Sequence, residues 1–518
     1  METSSSLFLP IIIAFFLFLV KALLSKNLTR TRKPSSDDLP PGPWKLPFIG
    51  SLHHLVGGNS HRRFRQLAET HGPILHLKLG EVDLVVVSSP ELAREVAKTR
   101  DLCFAARPQL TAGNILFNGH HGIATAPHGH YWSEIRKLCA TELLSAKRVK
   151  SFAPIREEEA QNLIMAILRK TGSPVNLSEM LPYYTNAATV RAAFGREMEE
   201  KERFLAMMKE MMRVCSGFAL VDLFPSLSFL GAATGLRRRM KKVWKEMDEV
   251  LEKVLGEEGD RRREAAGEED IDEGVENSLV RILKRVKENG EFVKATLTRD
   301  NIKAIIVDMF AGGTDTTTIT IIWALTEVLR HPKIMHKVQE EISKVLKGND
   351  IIKDHDIQKM PYLKNVVKET LRMHPPGPLL LPRVCRETTR ISKYVIPVGT
   401  RVIINAWALA TDPKSWDDPE SFRPERFEES EVDFKGTDFE YIPFGAGRRM
   451  CPGMLFGLAG IELWLGHLLY YFDWKIADGR NPVELDVEEE FGLTLNRKKD
   501  LCLIAVPRAT LLESPLMQ

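Results

Sequence analysis

The sequence has no paired cysteines and no nucleotide-binding motif. Its six cysteines are scattered along 518 residues, with no C-x-x-C pair of the kind that binds metal or forms a redox centre. The G-x-x-x-x-G-K-[ST] phosphate loop is also missing, and residues 445–450 (GAGRRM) lack the third glycine and the preceding strand of a dinucleotide fingerprint. These absences favour a reduced compartment and leave the chain without a nucleotide site of its own.

An excess of charge of one sign is missing as well. The 72 basic and 69 acidic residues leave a net charge of +3 and are interleaved, which excludes the long cationic stripe of a nucleic-acid groove. With 44% apolar and 27% charged residues, the bulk of the chain is neither disordered nor a multispanning membrane protein. We therefore expect a globular domain and no nucleic-acid partner.

Residues 1–25 contain the longest uninterrupted apolar run. Residues 7–20 are apolar except for Pro10, and the run is barely long enough to cross a bilayer. Basic residues follow it, whereas only Glu2 is charged before it, so the positive-inside rule places the rest of the chain in the cytosol. We expect a single-pass signal anchor. The alternative, a cleaved signal peptide, lacks the positive n-region that such peptides carry.

The remaining periodicity predicts a mainly α fold with small β-sheets. Residues 74–87 alternate and turn near Gly80, which predicts a hairpin, and residues 394–405 are a second strand-rich patch. Helical periodicity dominates elsewhere, most clearly at residues 157–170, 201–213, 300–330 and 454–472. Between the anchor and one domain at residues 51–518 lies a basic, proline-rich segment, residues 26–50, that we expect to act as a hinge.

A lone cysteine lies in the glycine-rich segment 443–453 (PFGAGRRMCPG). Gly445 and Gly447 have no Cβ, so the backbone there can approach a partner closely. Cys451 precedes a proline and an apolar run, which predicts that Cys451 caps a helix and that Pro452 is its first residue. The free amides beyond it would point at the sulfur and favour the thiolate, the form that ligates metal.

The residues alone leave several roles open for this sulfur. It suits the axial ligand of heme iron, where electron donation from the thiolate assists O–O cleavage. Zinc is disfavoured because no second cysteine or histidine lies at ligand spacing, and a nucleophile would need a base that the sequence does not indicate. A buried, unreactive cysteine is the remaining alternative.

Six positions of the segment match the heme-binding signature FGxGxRxCxG of the cytochrome P-450 family, which the chain resembles. They are Phe444, Gly445, Gly447, Arg449, Cys451 and Gly453. The resemblance spans residues 34–518, and the anchor with its PPGP hinge looks like plant microsomal A-type members. It implies the cytochrome P-450 fold in one catalytic domain, and heme b (iron protoporphyrin IX) with Cys451 as its axial thiolate and with Phe444, Gly445 and Arg449 around the cofactor.

Residues 308–323 (DMFAGGTDTTTITIIW) lie within the longest helical pattern, yet hold two glycines and a run of β-branched residues. Each interior glycine costs about 1 kcal/mol relative to alanine. Two explanations for these glycines remain open. One is a local opening such as a π-bulge, against which a small ligand can lie, and the other is close packing of another helix on the glycines. The segment resembles the family's [AG]Gx[DE]T[TS] oxygen groove, which implies that Thr316 hydrogen-bonds oxygen during its activation and that Asp315 relays protons from solvent.

Glu369 and Arg372 lie three residues apart, on one face of a predicted helix. The same spacing occurs at residues 91–94 and 327–330, where we expect exposed surface pairs. The downstream PERF sequence adds Arg426. By resemblance these three residues would form a buried Glu–Arg–Arg network that braces the cysteine loop.

Heme brings two carboxylates into a mostly apolar pocket, where unpaired charge is expensive. The resemblance supplies four donors for them. Trp132 and Arg136 lie one helical turn apart, Arg383 follows the sequence HPPGPLLLP, and Arg449 lies two residues before the cysteine.

The substrate-facing positions that the resemblance implies are apolar, which predicts a lipophilic substrate. Asp308, two turns before Thr316, could pair with a basic substrate, but no substrate class follows from it. The expected pocket residues are Ile115, Leu116, Phe117, Ala311, Gly312, Leu379, Leu380, Leu381 and Leu493.

The resemblance implies a heme-thiolate monooxygenase, anchored in the endoplasmic reticulum membrane, that oxidises a lipophilic plant specialised metabolite with O2. A terpenoid is the first candidate substrate, followed by alkaloid and phenolic scaffolds. The alternatives are coupling, ring rearrangement or dehydration without net oxygen insertion, and a heme sensor without turnover. Electrons from NADPH would come from NADPH-cytochrome P-450 reductase, with cytochrome b5 as a second donor, docking at Lys137, Lys147, Arg148 and Arg448.

Overall fold

The computed structural model describes residues 38–198, 200–215, 219–227, 235–256, 278–289, 297–347 and 351–508. The expected anchor, residues 1–25, and residues 26–37 of the expected hinge lie outside these ranges. Among the described residues, the stretches Arg299–Arg330 and Met454–Tyr471 are long and apolar enough to cross a membrane, and both are mostly buried inside the protein. Their burial identifies them as core helices of the globular body.

Helices dominate the described chain, as the periodicity predicts. They are α1 (Ser60–His71), α2 (Pro90–Arg94), α3 (Thr111–Leu116), α4 (His130–Leu138), α5 (Ala146–Ser151), α6 (Ala153–Leu168), α7 (Leu177–Phe194), α8 (Lys201–Val214), α9 (Leu220–Leu223), α10 (Leu236–Leu255), α11 (Leu279–Asn289), α12 (Arg299–Phe310), α13 (Thr316–Arg330), α14 (Pro332–Leu346), α15 (Pro361–Met373), α16 (Ala406–Ala410) and α17 (Met454–Tyr471). Turns of π-helix extend α2 over Glu95–Thr99, extend α4 over Cys139–Leu143 and join α12 to α13 over Ala311–Asp315. Turns of 3-10 helix lie at Leu52–Leu55, Ile357–Lys359, Pro424–Phe427, Gly447–Arg449 and Pro482–Glu484.

The strands form small sheets at the edge of the helical body. They are β1 (Ile74–Leu79), β2 (Val82–Val87), β3 (Pro174–Asn176), β4 (Arg383–Val384), β5 (Thr389–Ile391), β6 (Tyr394–Ile396), β7 (Arg401–Ile404), β8 (Phe472–Ile476), β9 (Glu489–Phe491), β10 (Leu495–Arg497) and β11 (Cys502–Pro507). The largest sheet has the order β1-β2-β7-β4, a second has the order β3-β11-β8, and β5-β6 and β9-β10 are pairs. The predicted hairpin is confirmed, since β1 and β2 pair antiparallel with Ile74 opposite Val87. The predicted mainly α fold with small sheets is confirmed as well.

The described end of the proline-rich segment packs along β1. The carbonyl of Pro41 accepts the N–H of His76 at 2.8 Å, and Gly50 bridges Leu79. A side chain at Gly42 would collide with the carbonyl oxygen of His76, 2.0 Å from the position of its Cβ. Backbone contacts of this kind hold this part of the segment against the sheet.

The central helix, α12 with its π turn and α13, packs against the helix that follows the cysteine. A Cβ added at Gly457 or Gly460 of α17 would lie 3.9 Å and 3.6 Å from atoms of the Thr317 side chain. Phe456, in the first turn of α17, comes within 3.6 Å of the corresponding position at Gly313. The two glycine-containing motifs that the sequence singles out therefore meet where α17 begins.

Glu327, near the end of α13, corrects one expectation. Instead of forming an exposed pair with Arg330, its side chain is 1% exposed and accepts hydrogen bonds from His374 Nε2 at 2.8 Å and Arg330 Nη1 at 3.0 Å. The ring of His374 stacks on Trp323 with centroids 4.0 Å apart. Burial alone would raise the pKa of Glu327, but the hydrogen bond from His374 and the surrounding positive charge lower it overall. The spacing is that of a surface pair, but the tertiary fold buries it.

We expect Glu327→Gln to lower the free energy of unfolding by about 1.5–3 kcal/mol, because a neutral amide weakens two charge-assisted hydrogen bonds in the interior. Glu91→Gln, at an exposed position with the same spacing to Arg94, is the matched control and should change it by less than about 0.5 kcal/mol. Denaturant titration followed by circular dichroism measures both. Equal losses in the two variants would contradict the buried role of Glu327.

Candidate active site

The loop before Cys451 is shaped by two glycines in the left-handed region. Gly445 and Gly447 have φ of 72° and 66°, a conformation that side chains with a Cβ rarely adopt. At Gly447 a Cβ would lie 1.8 Å from the carbonyl oxygen of Ala97. The loop closes where the N–H of Cys451 donates to the carbonyl of Phe444 at 2.9 Å. These constraints place the cysteine at a defined point just before α17.

The helix after the cysteine begins later than expected. It starts at Met454 with Gly453 as its N-cap, so the prediction that Cys451 caps the helix and Pro452 opens it is wrong. The N–H of Cys451 is bonded within the loop, as described above. The first helical hydrogen bond runs from the N–H of Gly457 to the carbonyl of Gly453 at 2.9 Å. The N–H of Gly453 nevertheless reaches the cysteine sulfur, as predicted.

The electrostatics of the sulfur also differ from the expectation. Burial raises the pKa of the Cys451 thiol, and the N–H of Gly453 and the charge of Arg136 only oppose that effect. The residue as a whole is exposed, but the surrounding protein desolvates its sulfur, and this desolvation is the largest effect on the pKa. The chain's own groups therefore do not favour the thiolate overall. A metal cation bound to the sulfur would, because coordination removes the thiol proton.

The buried arginines beside the cysteine loop form no ion pair among the described residues. Arg449 donates to the carbonyls of Ala105 at 2.8 Å and Ala126 at 2.7 Å, and Arg383 donates to the carbonyl of Ala446 at 3.2 Å. The second terminal nitrogen of Arg383 is buried without a hydrogen bond. Two of the four predicted donors of the heme carboxylates, Arg383 and Arg449, are therefore buried cations whose hydrogen-bond partners in the described chain are neutral carbonyls.

Burial lowers the pKa of the guanidinium groups in this cluster. Burial, together with the charges of Arg383 and Arg136, lowers the pKa of Arg449 to about 9. Burial lowers the pKa of Arg383 to about 10 and also lowers that of Arg136. Unpaired buried cations are costly, and two carboxylates placed among them would offset that cost. The residues therefore fit heme, whose two carboxylates would meet these cations while its iron meets the sulfur.

Arg107 joins this cluster and was missed by sequence reasoning. Its Nε donates to the carbonyl of Ala124 at 3.0 Å, and its Nη1 donates to the carbonyls of Leu381 and Pro382 at 2.7 Å and 2.8 Å. Burial and the charges of Arg449 and Arg383 lower its pKa. Its partners are main-chain carbonyls from distant segments, so no local spacing indicates its role.

Trp132 contributes its ring face to the cluster. The guanidinium carbon of Arg449 lies 4.2 Å from the ring centroid, which is a cation–π contact. The indole N–H donates to the carbonyl of Ile123 at 3.0 Å. Arg136 lies one turn further along α4 and is close enough to lower the pKa of the Cys451 thiol.

The central helix opens at the predicted oxygen groove. The residues Ala311–Asp315 form a turn of π-helix, as the first of the two alternatives predicts, and Gly312 is exposed although residues 301–307 and 317–329 of the helix are buried. The hydroxyl of Thr316 donates to the carbonyl of Gly312. The opening therefore leaves backbone and a hydroxyl accessible at the centre of the protein.

Asp315 turns away from this opening toward a threonine that sequence reasoning missed. The hydroxyl of Thr494 donates to Asp315 Oδ2 at 2.7 Å, and Asn496 Nδ2 donates to Thr494 Oγ1 at 3.3 Å. Burial raises the pKa of Asp315, and the hydrogen bond from Thr494 opposes the shift. The only hint in the sequence is that Thr494 follows the expected pocket residue Leu493.

Glu369, Arg372 and Arg426 are brought together. Arg372 makes a bidentate contact with Glu369 at 2.8 Å and 2.9 Å, and Arg426 Nε donates to the same carboxylate at 2.9 Å. The arginines also donate to main-chain carbonyls of Ala410 and Asp417. The network thus ties α15 to the segment between α16 and the PERF turn.

The expected pocket residues form two adjoining groups. Ile115, Leu116, Phe117, Ala311 and Leu493 share one apolar cluster. Leu379, Leu380 and Leu493 line a cavity together with Leu223. Leu493 therefore belongs to both groups. Gly312 faces the helix opening described above, and Leu381 is 40% exposed.

Known proteins share the sequence pattern and the fold. The family model of cytochrome P450 matches residues 40–503. Premnaspirodiene oxygenase of Hyoscyamus muticus is 46% identical over 96% of this chain and 98% of its own length. Desmethyl-deoxy-podophyllotoxin synthase of Sinopodophyllum hexandrum is 48% identical over 95% of each chain. A zebra fish cytochrome P450 structure with progesterone superposes with a TM-score of 0.75 at 26% identity, covering 87% of this chain and 100% of that one.

The site and these relatives agree on the class of protein. A cysteine lies near buried arginines that form no ion pair within the described ranges. Relatives matched over nearly their whole length are plant oxygenases and synthases of specialised metabolites. The chain belongs to the cytochrome P450 family and is a monooxygenase of a lipophilic plant metabolite.

Proposed function

We propose that this cytochrome P450 inserts one atom of O2 into a terpenoid, using heme b held by Cys451. The single observation that carries the cofactor assignment is the cluster of buried guanidinium groups that, in the part of the chain the structure describes, form no ion pair and lie next to a lone cysteine. The terpenoid assignment is supported by the similarity to premnaspirodiene oxygenase and by the apolar lining of the expected pocket. Thiolate-ligated heme supplies the reductive cleavage of O2 when it is bound.

The chain's own residues divide the remaining work. Cys451 provides the ligand, and Arg136, Arg383 and Arg449, with Arg107, provide counter-charge for the two carboxylates of the cofactor. Thr316 and Asp315 deliver protons at the opened helix. Thr316 donates a hydrogen bond to the Gly312 carbonyl, and Asp315 exchanges its proton on the side that faces Thr494. The apolar cluster around Phe117 excludes water from the bound substrate.

A second outcome is kept open by one relative. Desmethyl-deoxy-podophyllotoxin synthase is 48% identical, and its name is that of a synthase rather than an oxygenase. The same site could therefore oxidise an alkaloid or phenolic scaffold by coupling, ring rearrangement or dehydration without leaving oxygen in the product. A sensor without turnover is the least favoured alternative, because both members of the Asp315–Thr316 pair are present at the helix opening.

We place the protein in the endoplasmic reticulum membrane, anchored by residues 1–25, with residues 26–50 as a hinge and residues 51–518 as the cytosolic catalytic domain. The hydropathy and the charges that flank the first segment support this topology. Electrons would arrive from NADPH through NADPH-cytochrome P-450 reductase, with cytochrome b5 as a second donor.

Isotope labelling tests the reaction. We expect reductase-supplemented microsomes carrying the protein, supplied with candidate terpenoids under 18O2, to form a product with one 18O atom, and the reduced carbon monoxide complex to show the red-shifted Soret band of a thiolate ligand. Thr316→Ala should lower product formed per NADPH and raise hydrogen peroxide, because a hydrogen-bond donor is lost at the opened helix. NADPH-dependent product without 18O would favour the second outcome, and ligand binding without NADPH consumption would favour a sensor.

Thr494→Val tests the proton route. The hydrogen bond from Thr494 favours the ionised form of Asp315, so its loss should raise the pKa of Asp315 further and move the midpoint of the pH–rate profile to higher pH. Product per NADPH should fall and the solvent isotope effect should change. Thr494→Ser keeps the hydroxyl and is the control. Identical profiles for the valine and serine variants would rule out a role for this hydroxyl.

Charge reversal tests the reductase contact. Lys137 of α4 and Lys147 of α5 are exposed, Arg148 is half-buried, and Arg448 is exposed beside Asp101, to which it is ion-paired at 2.9 Å. We expect Lys137→Glu and Lys147→Glu each to raise the reductase concentration needed for half-maximal turnover by about two- to fivefold at low salt, and the difference to shrink at high salt. Lys475→Glu, on β8, is the control. If Lys475→Glu raised the required reductase concentration equally, the surface around Lys137 and Lys147 would not be the reductase contact.

A further inference from the structure

Asp308, in α12, directs its carboxylate at the main chain of the segment that precedes α4. Its Oδ2 accepts the N–H of Ala124 at 3.1 Å, and the N–H of Ile123 also stabilises the ionised form. Its Oδ1 is buried without a hydrogen bond among the described residues. Burial raises the pKa of Asp308 to about 7, against the effect of these two N–H groups. No cationic side chain lies against this carboxyl in the part of the chain that the structure describes.

The approach of this segment to Asp308 requires glycine at position 122. A Cβ at Gly122 would lie 2.3 Å from Asp308 Oδ2 and 2.8 Å from its carboxyl carbon. Gly122 is buried, so the collision could not be relieved by moving outward into solvent. The contact therefore depends on both residues, because the Asp308 carboxylate occupies the space that a Cβ at Gly122 would need.

The opposite edge of the same segment holds the arginine cluster. The carbonyl of Ile123 accepts from Trp132 Nε1 at 3.0 Å and from Arg449 Nη1 at 3.4 Å. The carbonyl of Ala124 accepts from Arg107 Nε at 3.0 Å. The carbonyl at position 126 accepts from Arg449 Nη2 at 2.7 Å. Residues 122–126 thus lie between one carboxylate and two guanidinium groups.

One peptide unit joins the two sides directly. The N–H of Ala124 and the carbonyl of Ile123 belong to the same peptide group, whose N–H end meets the Asp308 carboxylate and whose oxygen meets Arg449 and Trp132. A peptide dipole placed between an anion and a cation is stabilised at both ends, and each hydrogen bond polarises the other. The carboxylate thereby improves the acceptor that holds Arg449 in place.

A neighbouring network fixes the start of the segment to the same helix. Tyr131 donates to the carbonyl of His121 at 2.6 Å, and Asn301, in the first turn of α12, donates to Tyr131 at 2.9 Å. Asn301 also contacts His121 Nδ1 at 3.0 Å. The central helix therefore grips the segment at two points, two turns apart.

We propose that Asp308 is a positioning residue that fixes residues 122–126, and through their carbonyls fixes Arg449, Arg107 and Trp132 in the geometry that receives the cofactor carboxylates. This role goes beyond the proposed function but depends on it for the identity of the cofactor. The positioning role replaces the alternative in which Asp308 pairs with a basic substrate. The carboxylate of Asp308 is directed at the main chain, where its Oδ2 accepts the N–H of Ala124.

Hydrogen exchange tests the positioning role without reference to the cofactor. In the purified full-length protein, Asp308→Ala should speed amide exchange in the peptide that spans residues 122–126, because Ala124 loses its acceptor, while Asp308→Asn, which keeps an acceptor oxygen, should restore part of the protection. Gly122→Ala should have the same effect as Asp308→Ala from the opposite side. Unchanged exchange in all three variants would overturn the proposal.

Heme transfer to apomyoglobin tests the consequence for the cofactor. We expect Asp308→Ala and Gly122→Ala each to release heme about tenfold faster, a change that corresponds to the loss of one charge-assisted hydrogen bond, and the double variant to add little, since both disrupt one contact. Glu327→Gln is the control, because it weakens the fold at a site without contact to residues 122–126. If Glu327→Gln accelerated heme release equally, the effect would reflect a general loss of stability, and the proposal would be overturned.

Two further outcomes separate this proposal from the proposed function. If Asp308→Ala weakens binding of amine ligands only, with exchange and heme release unchanged, Asp308 is a substrate-binding acid and the positioning role is wrong. If the unsubstituted protein shows no red-shifted carbon monoxide band, the cofactor assignment fails, while the exchange experiment still decides whether Asp308 fixes the segment.

Discussion

The unpaired positive charge around Cys451 is the constraint on which the rest of the site depends. Arg383 and Arg449 are buried, and Arg136 lies half-buried beside them. Burial lowers the pKa of all three, and the charges of Arg383 and Arg136 lower that of Arg449 further. Burying cations without ion-pair partners is costly, and a bound anion would offset that cost. The glycine loop holds Arg449 and Cys451 in one short segment, and the ring of Trp132 lies against the guanidinium group of Arg449.

Main-chain carbonyls hold the cluster in place for that anion. Arg449 is bonded to carbonyls at three positions, Arg107 to three and Arg383 to one. Neutral carbonyls orient a guanidinium group without neutralising it, so the charge remains available to the cofactor. Ion pairs with acidic side chains would have stabilised the protein without cofactor but weakened its attraction for the carboxylates. The consequence is a fold that depends on the accurate placement of loops.

The residues that the sequence predicts well are those whose role is encoded by local spacing. The cysteine loop, the Glu369–Arg372 pair and the opened helix each require particular residue types within a few positions, so their motifs are recognisable and the structure brings them together. Arg107, Thr494 and the partner of Asp308 act through segments far apart in the chain, and two of the three contacts involve main-chain atoms that any residue supplies. For the same reason the burial of Glu327 is invisible in the sequence, since its spacing to Arg330 is also that of a surface pair.

The π turn explains why two acids of one helix serve different purposes. Asp308 and Asp315 are seven residues apart, and in a regular α-helix such positions differ by only about 20° in direction. Ala311–Asp315 form a π turn, and its extra residue rotates the C-terminal half of the helix by about 100° relative to a regular helix. Asp308 therefore meets the segment at residues 122–126, whereas Asp315 meets Thr494 on another side. The same irregularity that exposes Gly312 thus directs the two carboxylates of one helix to different sides, so that they do not share a site.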